Sequence, residues 1–203
     1  MRRLILVVAA LTGAARLAAA ADPAPLVDVQ SIALGIRVQL AYASTDNIFA
    51  RRFYASNTAL LRELVARRLA KVQASLAKRG LGLLIWDAYR PSSVQGAMWK
   101  IKPNPQYLAD PRKGGSKHSR GAAVDVTLVD RHGTPLSMPT PHDEFSPRAH
   151  RGATVGVPPL ARTHARILDE AMREAGFLAN KYEWWHFSAP DWRQYPLADR
   201  AVQ

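Results

Sequence analysis

The chain has 203 residues, 48% of them apolar, a formal net charge of +12 and no cysteine. That length suits one domain and is short for two, and the apolar share permits a real core. Without cysteine there are no disulfides, so any metal site must be built from His, Asp and Glu; after the first twenty residues no apolar run is long enough to span a bilayer.

The chain starts with Arg2 and Arg3, then an apolar run from Leu4 to Ala15 interrupted only by Thr12 and Gly13. Ala18, Ala19 and Ala20 follow, with Asp22 and Pro23 just beyond. This is the pattern of a cleaved secretory signal over residues 1–20, leaving 21–203 as a single domain exported to the periplasm or outside the cell. No cysteine stands at the boundary, so lipid anchoring is not indicated. Three of the positive charges (Arg2, Arg3, Arg16) lie in the signal, and the remainder is still strongly basic. Export argues against nucleic acid as a partner and favours an anionic envelope, through wall polymers or lipid headgroups. The scattered arginines equally suit a solvated basic surface.

Ala21 to Leu26 reads as a loose Pro/Ala leader. Arg37 to Ala43 alternates, with Val38, Leu40 and Tyr42 on one face, and predicts a strand. Leu60, Leu61, Leu64, Val65, Leu69, Val72 and Leu76 recur at helical spacing and predict a helix over 58–79, ended by Gly80. Gly82 to Trp86 is of strand length, and Ser92 to Ile101 reads as a short helix opened by Pro91. Pro103 to Gly115 is a loop. Ala122 to Val129 predicts a buried strand and Asp130 to Gly133 a turn. Ser137 to Pro159 carries five prolines and reads as a long loop of the kind that lines sites. Leu160 to Ala175 predicts a second amphipathic helix, ended by Gly176, and Glu183 to Ser188 a last strand. Strands and helices mix without a βαβ rhythm, which indicates an α+β fold.

Three segments hold residues that catalysis can use. Ser116-Lys117-His118-Ser119-Arg120-Gly121-Ala122-Ala123-Val124-Asp125 offers a His at a loop end and an Asp on the next strand, which converge if Gly121 lets the backbone turn sharply. Glu183-Trp184-Trp185-His186 adds a second imidazole. Two imidazoles and one carboxylate leave a position open for water on zinc, and Glu183 becomes the unattached carboxylate able to take that water's proton. On the bland reading, His118 is a capping histidine, Asp125 answers an arginine, and Trp184 and Trp185 are core. In Trp86-Asp87-Ala88-Tyr89-Arg90-Pro91 an arginine follows a predicted strand, placed either to donate to an oxyanion or to pair with Asp87.

Together, Ser-x-His-x-x-Gly-x-Ala-x-Asp, Glu-x-Trp-His and the upstream Asp-x-Tyr-Arg-Pro resemble the zinc D-Ala-D-Ala dipeptidases of the VanX type. Their wider clan includes zinc D,D-carboxypeptidases and the Hedgehog-like fold. The similarity runs from about Tyr42 to His186 and takes in Leu84-Ile85-Trp86-Asp87, Val126-Thr127-Leu128-Val129-Asp130 and Gly176-Phe177. It implies an α+β domain with a small antiparallel sheet carrying one zinc, held by His118, Asp125 and His186. It further implies Glu183 as catalytic base, Arg90 as the transition-state arginine, Ser116 and Asp143 near the substrate, and a D-amino-acid dipeptide as that substrate. Rival readings are a zinc D,D-carboxypeptidase or L,D-endopeptidase acting on peptidoglycan peptides, and a non-catalytic wall-binding module. The chain departs from the family where Lys117 replaces a frequent second serine, where Pro139 replaces a common glycine, and around Asn47 to Tyr54, where Arg51 and Arg52 stand and a glycine is missing.

Overall fold

In the computed structural model, which describes residues 24–203, the chain begins with strand β1 (Leu26–Asp28) and a single helical turn, α1 (Val29–Ile32). The signal expected over residues 1–20 lies outside the described residues. There follow β2 (Arg37–Val38), β3 (Leu60–Arg62), α2 (Glu63–Ala77), β4 (Leu81–Asp87), α3 (Ser92–Ile101), β5 (Ala123–Asp130), α4 (Pro159–Glu174), β6 (Leu178–Ala179) and β7 (His186–Ser188). Five strands form one sheet in the order β2-β4-β5-β7-β6, and β1 pairs with β3 apart from it. The α+β class is as expected. The all-antiparallel sheet is corrected at one edge, where β2 runs parallel to β4 and the others pair antiparallel. A parallel neighbour needs a long crossover, and β3 with α2 provides it.

Strand β5 is central in the sheet, with β4 and β7 covering its edges, and it is buried from Ala123 to Val129 on both faces, with helix α4 packed against it. Helix α2 buries Val65, Ala66, Leu69, Val72 and Leu76, and α4 buries Ala161, Ile167, Leu168, Ala171 and Met172. The two helices pack on each other and on β4 and β5. Each large aliphatic side chain so removed from water contributes about 1.5–3 kcal/mol. Among the described residues no helix is long and apolar enough to cross a membrane.

Several boundaries differ from the sequence reading, each for a local reason. Helix α2, expected over 58–79, starts at Glu63 because Leu60, Leu61 and Arg62 pair with β1, and Leu64 consequently points to solvent at 58% exposure. Leu26, expected in a loose leader, belongs to that same pair. The strand expected over 37–43 stops at Val38: Gln39 N still donates to Ile85 O at 2.9 Å on the β4 side, and the outer edge is covered by the Asn57 side chain. Its Oδ1 accepts from Leu40 N at 2.6 Å and its Nδ2 donates to Val38 O at 2.9 Å, and the chain then turns through a 3-10 segment at Ala41–Ala43. The last strand is only His186–Ser188. Glu183 to Trp185 form a turn instead, closed by His186 N donating to Glu183 O at 3.3 Å.

Candidate active site

Sheet register brings three polar side chains into one row. Asp125 on β5 lies opposite Asp87 of β4 on one side and His186 of β7 on the other. The β4 register shifts between Ile85 and Asp87, so Trp86 is the extra residue of a bulge. Without it Trp86, not Asp87, would face Asp125; re-aiming one side chain is what a bulge does. Glu183 and His186 are three residues apart, so a regular strand would turn them to opposite faces. The turn before β7 lets both line the same cavity.

His118 starts a 3-10 turn (His118–Arg120) that Gly121 ends with φ 66°. A Cβ on Gly121 would overlap the Leu26 side chain and stand 3.3 Å from the Arg62 amide, so glycine is required both for conformation and for room. The sharp turn expected at Gly121 is therefore present. Ser116 Oγ accepts from His118 N at 3.1 Å and fixes the entry to the turn.

His118, Asp125 and His186 bring one potential ligand atom each within 4.8 Å of one another. His118 Nδ1 lies 2.7 Å from Ala88 O, so that nitrogen carries the proton and Nε2 is left with its lone pair. Nε2 faces His186 Nδ1 at 3.1 Å and Asp125 Oδ1 at 3.5 Å, and His186 Nδ1 stands 2.9 Å from Asp125 Oδ1. Zinc bonds of about 2.0–2.1 Å in a tetrahedron imply ligand atoms roughly 3.3 Å apart. The donor set and its spacing therefore fit such an ion, and the Ala88 carbonyl supplies the outer partner that orients a ligating imidazole.

All seven residues singled out in the sequence, Arg90, Ser116, His118, Asp125, Asp143, Glu183 and His186, line one cavity of about 280 Å³. A family model described as D-ala-D-ala dipeptidase matches residues 22–202. The chain belongs to the D-Ala-D-Ala dipeptidase family. It is 39% identical over 176 residues to the D-alanyl-D-alanine dipeptidase of Escherichia coli (strain K12), covering 87% of this chain and 90% of the relative. It is 30% identical to that of Enterococcus faecalis (strain ATCC 700802 / V583), over 80% of this chain and 89% of the relative. Among solved structures, VanYB in complex with D-Alanine-D-Alanine aligns at 18% identity with a TM-score of 0.41, over 68% of this chain and 75% of that one.

Electrostatics in this dipeptidase-family site separate the carboxylates. Burial raises the Glu183 carboxyl well above its ordinary value, and Asp125 and Asp143 add to the shift. Asn180 Nδ2 donates to Glu183 Oε2. Burial also works to raise Asp125, but the surrounding imidazoles of His118, His142 and His186 outweigh it and hold that carboxyl low. Burial lowers His186, which favours the neutral, ligating imidazole. One group is thus poised to hold a proton and its neighbour to stay ionised.

Arg90 makes the salt bridge to Asp87 that its motif allowed. Its Nε and Nη2 donate to Asp87 Oδ2 at 3.1 and 2.6 Å, and its Nη1 to Gln95 Oε1 at 2.9 Å. Asp87, fully buried, also accepts from the Tyr54 hydroxyl at 2.7 Å. The salt bridge is real, and with five N–H groups on a guanidinium it leaves two free on a side chain that lines the cavity.

Several site residues escaped the sequence reading. Tyr42, read as one face of a strand, donates its hydroxyl to Asp143 Oδ2 at 2.7 Å. Asp143 sits at φ 58°, a conformation Asp tolerates better than most, and this bond helps hold it there. His142 lies 3.5 Å from Asp125 Oδ2 and 3.6 Å from Asp143 Oδ1, with its ring stacked on Trp86. Burial works against its protonation, yet Asp143 and Asp125 prevail and raise it to about 9. Its place in the proline-rich loop beside Asp143 was the available signal. Arg151, on the same loop, had none. Its guanidinium donates to the carbonyls of Asn180, Glu183, Trp184 and His186 and to Asp169, and so holds the segment that carries Glu183 and His186.

Proposed function

We propose that this chain is a zinc peptidase that hydrolyses D-Ala-D-Ala to two D-alanines. The observation that carries the reading is the His118–Asp125–His186 cluster with buried Glu183 in the same cavity, within a chain of the dipeptidase family. The relatives bearing that name support the substrate. His118 Nε2, His186 Nδ1 and an Asp125 oxygen would hold the metal. Bound there, zinc supplies Lewis acidity toward a water and the scissile carbonyl.

The chain's own groups do the rest. A Glu183 carboxylate oxygen takes the proton from the attacking water and passes it to the leaving amine, a role suited to a carboxyl raised by burial. Arg90 donates its spare N–H groups to the developing oxyanion, while Asp87, Gln95 and Tyr54 keep it in place. Asp143, fixed by Tyr42, receives the substrate's ammonium group, and Ser116 lines the same cavity. Lacking a partner, an enclosed charge is costly, so this arrangement favours a free amino end. The signal-like N-terminus supports an exported enzyme acting in wall-peptide turnover, and the basic composition supports proximity to an anionic envelope.

Product analysis of the zinc-loaded protein on D-Ala-D-Ala beside a muramyl pentapeptide tests the substrate. Faster cleavage of the pentapeptide would replace the dipeptidase reading with a carboxypeptidase. Glu183→Gln tests the base: zinc content should be unchanged while kcat falls roughly 10²–10⁴-fold. Loss of zinc would make Glu183 a ligand instead.

A further inference from the structure

We propose that Lys117 anchors the C-terminal carboxylate of the substrate and makes the enzyme selective for a free acid at that end. This rests on the dipeptidase reading above. A free dipeptide is a zwitterion, and a cavity that encloses it must answer both charges. Asp143 and Tyr42 answer the ammonium group. The cavity-lining Lys and Arg side chains are Arg90, Lys102 and Lys117. Arg90 spends three N–H groups on Asp87 and Gln95 and its charge is already paired with Asp87, leaving its two remaining donors for the oxyanion, and Lys102 is solvent-exposed at the rim.

Lys117 differs from both. It is partly buried, directly between Ser116 and the ligand candidate His118, and no carboxylate lies within ion-pairing distance of it among the described residues. Its Nζ makes one hydrogen bond, to the neutral Ser188 Oγ at 3.2 Å, and sits 5.3 Å from the centre of the Trp192 ring. An ammonium has three N–H donors, so two are unspent. Ser188 is on β7, whereas Tyr42 lies against Arg90 beyond β4, so cation and acid reach the row of ligands from opposite edges. That placement on opposite sides of the row suits a ligand whose ends carry opposite charges. A partly buried cation with spare donors, facing a cavity and lacking an acid of its own, fits a ligand carboxylate.

The test compares D-Ala-D-Ala with its C-terminal amide on the full zinc-loaded protein, for the wild type, Lys117→Met and Lys117→Arg. The wild type should prefer the free acid. Lys117→Met should lower kcat/KM for the acid about 10- to 100-fold, mostly through KM, the scale of a hydrogen bond to a charged group. It should leave the amide nearly unchanged, and Lys117→Arg should keep much of the preference. Zinc content should equal that of the wild type in both variants. Equal losses on acid and amide, or a preference that survives in Lys117→Met, would overturn the assignment. If Lys117→Met does not fold, a Lys117→Gln protein that keeps the preference would overturn it equally. Cleavage of neither substrate by the wild type would instead remove the dipeptidase reading and this assignment with it.

Discussion

Replacing Arg151 with Met keeps most of the side chain's apolar length and deletes its guanidinium. Four backbone carbonyls and Asp169 then lose a donor. Glu183 O still accepts from His186 N, His186 O still accepts from Asn180 N, and Asp169 keeps Arg173. Trp184 O and Asn180 O have no second donor among the described residues. An orphaned polar group costs about 1–3 kcal/mol, so two give about 2–6 kcal/mol. The Arg151 side chain is 14% exposed, and water reaching the vacated space reduces this to about 2–4 kcal/mol. For a chain of this size that is a fall in Tm of about 4–16 °C. Urea unfolding of the metal-stripped protein is the appropriate assay, since bound metal adds stability of its own. The midpoint should drop at constant m-value. Because the freed segment carries Glu183 and His186, the refolded, zinc-loaded variant should also show a lower kcat. A loss under about 1 kcal/mol, with full activity, would refute the view that Arg151 holds this segment.

His118→Ala should abolish stoichiometric zinc binding, read by metal analysis, since it removes one of the three proposed ligands. Gly121→Ala should cost about 2–4 kcal/mol through left-handed strain and overlap with Leu26, and should weaken zinc binding by displacing His118; an unchanged denaturation midpoint would contradict this. Arg90→Ala should lower kcat about 10²–10³-fold and, by leaving Asp87 buried with only Tyr54 as a strong partner, destabilise by about 3–5 kcal/mol. Adding Asp87→Asn should recover stability without recovering turnover, which the same two measurements can separate. Glu183 must be ionised to act as base, so activity should fall as pH drops through its pKa, which burial, Asp125 and Asp143 hold above the usual 4.5. Asp143→Asn removes one of those charges, so the acidic limb of kcat/KM should move to lower pH; a limb that stays or moves upward would exclude Glu183 as the titrating base.

The residues that gather in the cavity were legible in the sequence because they sit in short motifs whose local geometry is self-contained. Ser116, His118 and Gly121 make their own turn, and Asp125 follows on a strand apolar enough to be recognised as buried. Helix α4 was legible too, from its periodicity and its stop at Gly176 (φ 83°). What the sequence left open was decided by pairing between distant segments. Leu60 and Leu61 suit a helix as well as a strand, and only β1 makes them a strand. Asn57 supplies side-chain bonds to the outer edge of β2, where no neighbouring strand lies. The bulge at Trp86 turns Asp87 toward Asp125, and the turn before β7 brings Glu183 to the same side as His186. Arg151 is one among many arginines in the chain and becomes distinctive only where four carbonyls converge on it. Periodicity encodes which face of an element is apolar, and it cannot encode which distant backbone will supply the missing hydrogen-bond partner.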